Sequence, residues 1–130
     1  NIKKGTVRGM HFQLPPFVEI KLIRCIRGAI HDTIIDIRKD SPTFLQQASF
    51  ELSEENNKMI YVPEGFAHGF QTLTDNTHMI YHHTAFYTPN AYSGLRHDDP
   101  LLNVKWSLPI SSISEQDKNF KLLDYNFKGI

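Results

Sequence analysis

The sequence predicts an all-β fold, an antiparallel sandwich or small barrel with one short helical segment near its C-terminal end. Three observations carry this prediction: apolar residues recur with the period of strands, the runs are short and separated by turn-forming clusters at regular spacing, and only one good helix start occurs. Taken in order, Val18 to Arg27 reads as an extended run that Gly28 punctuates, and Ala29 to Arg38 follows as an isoleucine-rich run. Phe44 to Leu52, Lys58 to Val62, Ala67 to Leu73 and His78 to Thr84 complete the series. Between them lie Lys39-Asp-Ser-Pro42, Ser53 to Asn57, Pro63-Glu-Gly65 and Asp75-Asn76, all rich in turn formers. The helix start is Ser114-Glu-Gln-Asp117, which has the form of a capping box with Ser114 as cap.

Composition narrows the function classes. The 130 residues suit one domain, expected to span residues 1–130. Fourteen basic residues balance fourteen acidic ones, so the formal net charge is zero and a nucleic-acid partner is not expected. No apolar run approaches the roughly 20 residues of a membrane span, so no membrane partner is expected either. The single cysteine, Cys25, has no partner in the chain and reads as a small core residue, which points to a reducing cytoplasm. Seven histidines are the compositional oddity.

Pro63-Glu-Gly-Phe-Ala-His68 has the P-x-G-x-x-H spacing of a cupin-type jelly roll, in which a turn delivers a histidine into the barrel mouth. A metal site there needs several converging N or O ligands. The earlier strand offers only His11-Phe-Gln13, with no second histidine and no nearby glutamate, so no metal is expected. His68 is then either a hydrogen-bonded barrel histidine or a contact to a bound molecule. Lys21 interrupts the run Val18 to Ile23 and shares a face with Glu19, Ile23 and Cys25. It is either a solvated outer lysine or an interior charge, which costs free energy unless paired and so marks function. Tyr81 shares a face with Met79 and His83 and, on pattern alone, is a packed core tyrosine. Asp98-Asp99 before Pro100 reads as a solvated turn, and no glycine run forms a phosphate loop.

Eight strings, in order, resemble one family. They are Gly5-Thr-Val-Arg-Gly-Met-His-Phe-Gln13, Lys21-Leu-Ile-Arg24, Asp36-Ile-Arg-Lys-Asp-Ser-Pro-Thr-Phe44, Leu52-Ser-Glu-Glu-Asn56, Val62-Pro-Glu-Gly-Phe-Ala-His-Gly-Phe70, Ile80-Tyr81, Asp98-Asp-Pro100 and Ser114-Glu-Gln-Asp117. The chain is similar, from about Gly5 to Asp124, to the dTDP-4-dehydrorhamnose 3,5-epimerases. The resemblance implies a homodimeric, cupin-like jelly roll that acts on a nucleotide sugar without a cofactor. It assigns His11 as general base, Asp117 as the carboxylate that orients it, Tyr81 as general acid, and Lys21 as the cation near the sugar's C4 oxygen. It gives substrate contacts to Arg8, Gln13 and His68, and a place near the nucleotide sugar to Phe86 and Tyr87. Strict strand alternation puts Arg8 and His11 on opposite faces, so a shared site requires a bulge near Gly9.

Several positions depart from the family pattern. A segment that precedes the R-G-x-H motif in the family is not found before Gly5, so an incomplete chain or a different dimer is expected. Tyr92 stands for an acidic residue, Gln116 for a lysine, His97 for a tryptophan or tyrosine, and His82 for a lysine. These departures admit a GDP-linked substrate, or epimerisation at one carbon only, as alternatives. A binding protein without catalytic activity is the other reading, and the retention of His11, Tyr81 and Asp117 argues against it.

Overall fold

The computed structural model describes residues 1–130 as two antiparallel sheets packed face to face. The strands are β1 (Val7–Gln13), β2 (Lys21–Arg27), β3 (Ala29–Asp36), β4 (Gln47–Ser53), β5 (Met59–Val62), β6 (Phe66–Thr72), β7 (His78–His83) and β8 (Tyr92–Gly94), and the one helix is α1 (Glu115–Lys118). The larger sheet has the order β4-β3-β6-β1-β8 and the smaller one β5-β2-β7. Of the two expected architectures, then, the sandwich is the one formed: the sheets do not close into a barrel. No helix is long and apolar enough to cross a membrane.

Alternation sorts the strands into layers. Ile23, Cys25, Ile30, Leu52, Ile60, Val62 and Phe70 meet between the sheets as one apolar cluster. Cys25 is fully buried there, the small core residue it was expected to be. The opposite face of the larger sheet also buries apolar residues, among them Met10, Phe12, Ile35 and Ala67. Its cover is the largely irregular segment after Gly94, which packs Leu95, Leu102, Trp106, Phe127 and Ile130 onto that face. Beyond the turn at Asp98-Asp99 and the helix start at Ser114, this cover carries no periodic signal, and its packing onto the sheet was not expected from the sequence.

Three local differences have physical causes. Phe44 to Gln46 turn rather than extend, because Leu45 takes a φ of 62° and its N–H donates to the Asp36 carbonyl at 2.8 Å. The run from Ala29 stops at Asp36, whose carboxylate accepts from Arg38, Ser41 and Thr43 and folds the chain back on itself. The expectation of a solvated Asp98-Asp99 turn holds only for Asp98. Asp99 is 1% exposed and accepts the backbone N–H groups of Leu101 at 2.8 Å and Leu123 at 2.6 Å, so it staples the C-terminal cover.

The bulge near Gly9 is present. Arg8 pairs with Phe70 and His11 with His68, so Gly9 and Met10 together oppose Gly69 alone. Gly9 has a φ of 125°, and a Cβ there would stand 2.5 Å from the Gly69 Cα. Only glycine fits this position. The extra residue resets the alternation, which turns Arg8 and His11 to the same side.

Candidate active site

A cavity of about 600 Å³ opens between the sheets at one end of the sandwich. Arg8, His11, Gln13, Lys21, His68, Tyr81, Phe86 and Tyr87 all line it, so eight of the nine predicted site residues converge. The ninth, Asp117, lies directly behind His11.

His11 comes from β1 and is aimed by α1. Ser114 caps the helix by accepting the Asp117 N–H at 3.0 Å. The Asp117 carboxylate does not reach back to the cap, as a complete capping box requires. It crosses instead to β1, where Oδ2 accepts the Gly9 N–H at 3.2 Å and Oδ1 lies 2.7 Å from His11 Nε2. Burial pushes this carboxyl up, but the hydrogen bonds from His11, Gly9 and Ser114 outweigh it and hold Asp117 below its ordinary value. An ionised Asp117 accepts only, so His11 Nε2–H is the donor and Nδ1 keeps the free lone pair. The imidazole is thus fixed in one tautomer and orientation. The Tyr92 ring, 5.3 Å away between centroids, packs against it.

Tyr81 faces this group from the smaller sheet. Its ring stands edge-on to His68 at 6.2 Å and stacks on His83 at 5.9 Å. Burial pushes its phenol well above the ordinary range, and the nearby Asp32 adds to the effect. Tyr81 therefore keeps its proton and is available as a donor. The same residue packs against the apolar cluster between the sheets, as the pattern of β7 suggested.

Lys21 is interior. It is 5% exposed, and its Nζ reaches the His11 carbonyl oxygen and Glu19 Oε1, each at 3.4 Å. Burial lowers its pKa, while Glu19 and Asp32 work in the opposite direction. Leu22 and Ile26, on the alternate positions of β2, point outward as alternation requires. His68 is both hydrogen-bonded and cavity-lining: its Nε2 lies 2.8 Å from Oδ2 of the fully buried Asp32.

Gln13 lines the cavity with its amide already engaged. Oε1 accepts the Thr88 N–H at 2.8 Å, and Nε2 donates to the carbonyls of Phe17 at 2.8 Å and Phe86 at 3.3 Å. It thereby moors the loop that presents Phe86, 94% exposed, and Tyr87 at the cavity rim. No group of three or more His, Cys, Asp or Glu side chains is arranged to hold a metal ion.

The site also contains Asp32, Glu19, His83 and Tyr92, to which sequence reasoning gave no role there. Asp32 had a signal, a carboxylate in the middle of an isoleucine-rich strand. Glu19 and His83 had weaker ones, each sharing a face with an assigned residue.

Comparison with known proteins agrees with this geometry. The sequence model of the family described as dTDP-4-dehydrorhamnose 3,5-epimerase matches residues 1–125. A curated relative from Sinorhizobium fredii, named dTDP-4-dehydrorhamnose 3,5-epimerase, is 47% identical over 116 residues, covering 88% of this chain and 60% of its own length. The chain therefore spans less than two thirds of that relative's length. Among solved structures, the dTDP-4-dehydrorhamnose 3,5-epimerase of Bacillus anthracis with TDP and PPi bound superposes with a TM-score of 0.92 at 41% identity, over 95% of this chain and 70% of that one. The dTDP-6-deoxy-D-glucose-3,5-epimerase of Legionella pneumophila, in complex with dTDP-4-keto-L-rhamnose, gives a TM-score of 0.87 at 35% identity, over 93% and 64%. Sequence match, fold and the converging side chains agree: the chain belongs to the dTDP-4-dehydrorhamnose 3,5-epimerase family.

Proposed function

We propose that this chain epimerises a nucleotide-linked 4-keto-6-deoxy sugar at C3, C5 or both, by deprotonation to an enolate and reprotonation from the opposite face. The observation that carries the reading is the opposition of a carboxylate-backed histidine on β1 and a protonated phenol on β7 across one cavity. Both C3–H and C5–H flank the C4 ketone, which makes them acidic enough for a positioned imidazole. His11 Nδ1 takes the proton and becomes an imidazolium that Asp117 stabilises. The bonding pair of the broken C–H moves into the C–C bond as the carbonyl oxygen becomes an enolate, and the Lys21 ammonium answers that charge. Tyr81 then gives its proton to the carbon from the far side. The two groups regain their starting states through solvent. No step calls for a cofactor.

Further support comes from the rim, where Phe86 and Tyr87 offer exposed rings on which a nucleobase can stack. The relatives' substrates point to a dTDP-linked sugar. The same proposal includes a single cupin-like domain over residues 1–130, a reducing cytoplasmic setting and a homodimer. Leu22, Ile26, Met59, Tyr61 and Ile80 support the last point, because they leave the outer face of the smaller sheet apolar and exposed.

Proton NMR in D2O tests the chemistry. With a dTDP-linked 4-keto-6-deoxy sugar, deuterium is expected at C3, C5 or both. Exchange only with a GDP-linked sugar reassigns the nucleotide, and no exchange with either refutes the reading.

A further inference from the structure

Among the ionisable side chains in the cavity that the proposed chemistry leaves without a role are Glu19 and His83. Glu19 precedes β2 by two residues and belongs to no strand, yet its position is fixed. The Ile20 N–H donates to Thr84 Oγ1 at 2.9 Å and the Thr84 N–H returns to the Ile20 carbonyl at 3.1 Å, which clips this segment to the end of β7. The Glu19 side chain, 11% exposed, then divides its two oxygens. Oε2 lies 2.8 Å from His83 Nδ1, and Oε1 lies 3.4 Å from Lys21 Nζ. His83 and Lys21 are register partners across β7 and β2, and the His83 ring stacks on Tyr81.

We infer that Glu19 and His83 act together as a clamp that keeps the buried Lys21 charged, with Glu19 as the counter-ion and His83 as the residue that holds its carboxylate in place. The inference rests on the enolate-stabilising role proposed for Lys21. An amine 5% exposed loses the hydration that favours its ammonium form, and a neutral amine offers no full charge to an enolate. The groups facing Lys21 are few: Glu19 from the preceding segment, Asp32 from β3, the His11 carbonyl from β1, and His83 and Tyr81 from β7, with Arg8 and His68 also on the cavity wall. Of the carboxylates, Asp32 is engaged by His68, so Glu19 is the one within contact distance of Nζ. A carboxylate left to rotate could draw the ammonium away from the cavity. With one oxygen fixed by His83, Glu19 supports the charge at 3.4 Å, and with the His11 carbonyl as second acceptor the ammonium keeps its third N–H for the substrate oxygen. Glu19 and His83 are therefore positioning residues that set the alkaline limit of the reaction.

The test separates the clamp from the catalytic reading. Titration of the Lys21 Nζ by 15N NMR, with the resonance assigned by its loss in Lys21→Met, follows the charge directly and needs no turnover. The pH profile of deuterium incorporation follows it through catalysis. In Glu19→Gln, the Lys21 midpoint is expected to fall, and the rate on the alkaline limb to drop by about tenfold, the effect of losing one opposite charge at contact distance. His83→Phe keeps a ring against Tyr81 but cannot hold the carboxylate, and a smaller shift in the same direction is expected. A Glu19→Gln midpoint at or above that of the unmodified protein overturns the clamp, as does a His83→Phe protein in which Lys21 titrates unchanged. Absence of turnover in the unmodified protein counts against the catalytic reading, while the Nζ titration still decides the clamp.

Discussion

Replacing Gly9 with alanine tests whether the β1 bulge builds the site. The added Cβ would lie 2.5 Å from the Gly69 Cα and 2.8 Å from the His68 carbonyl oxygen, both backbone atoms that cannot swing aside. The φ of 125° is also a conformation that L-residues rarely adopt. Backbone strain of this kind costs roughly 1–3 kcal/mol, and forced overpacking typically adds about 1–3 kcal/mol. The expected loss is about 2–6 kcal/mol, a large share of the roughly 5–15 kcal/mol that holds such a domain together. For a chain of this length, that lowers Tm by about 7–22 °C. Gly69→Ala is the matched comparison. Its Cβ meets the flexible Met10 Sδ at 2.6 Å and the Arg8 carbonyl at 2.9 Å, without a positive φ, so it should cost less. Thermal unfolding by circular dichroism ranks the two variants, and deuterium incorporation reports whether His11 still meets Asp117. A Gly9→Ala protein with unchanged Tm and unchanged exchange would refute the argument that the bulge places the base.

Other perturbations separate the remaining roles. His11→Ala should abolish deuterium incorporation at the sugar carbons, whereas Tyr81→Phe should slow inversion while leaving some exchange; NMR with the keto sugar distinguishes them. Gln13→Ala frees the Phe86–Tyr87 loop and should raise KM more than it lowers kcat in steady-state assays. Asp36 binds Arg38, Ser41 and Thr43, and these bonds, led by Arg38, hold its carboxyl well below the usual range. Such a group stabilises the fold above the ordinary carboxylate value of about 3.9 and loses that effect as pH falls through its lower folded value. Asp36→Asn should therefore cost about 2–3 kcal/mol in urea at pH 7, with the gap to the unmodified protein closing below about pH 4. A gap that stays constant with pH would remove Asp36 as the acid-sensitive group.

What could be read from the sequence depended on whether a residue's role was periodic. Lys21 and Tyr81 sat on legible strand faces, and the alternation that flagged Lys21 as a possible interior charge put it at 5% exposure. The need for a bulge at Gly9 was also legible, because two residues assigned to one site stood on opposite faces. Composition alone led no further than a small β-domain with a polar mouth. The roles of His11 and Asp117 entered through resemblance, since 106 residues separate them and no local pattern links them. Asp99 was misread because a turn's sequence says nothing about what later packs over it; its acceptors serve Leu123, 24 residues away. The three-residue strand β8 is too short to show a period, and the C-terminal cover has none.

That cover has a consequence for the order in which the site is completed. The larger sheet and the cavity walls are encoded up to Gly94, but the carboxylate bonded to His11, the proposed base, is Asp117, carried by a four-residue helix. A chain emerging from the ribosome can pair every strand before Asp117 has been made. Until the cover docks, His11 lacks the acceptor that selects its tautomer, and the closure joining them spans most of the chain. The sheets could thus form a vessel ahead of its chemistry, with competence arriving as a late tertiary event. The His11–Asp117 pair on which the proposed chemistry depends would then be withheld from a half-made protein and granted to one whose outer face is already sealed.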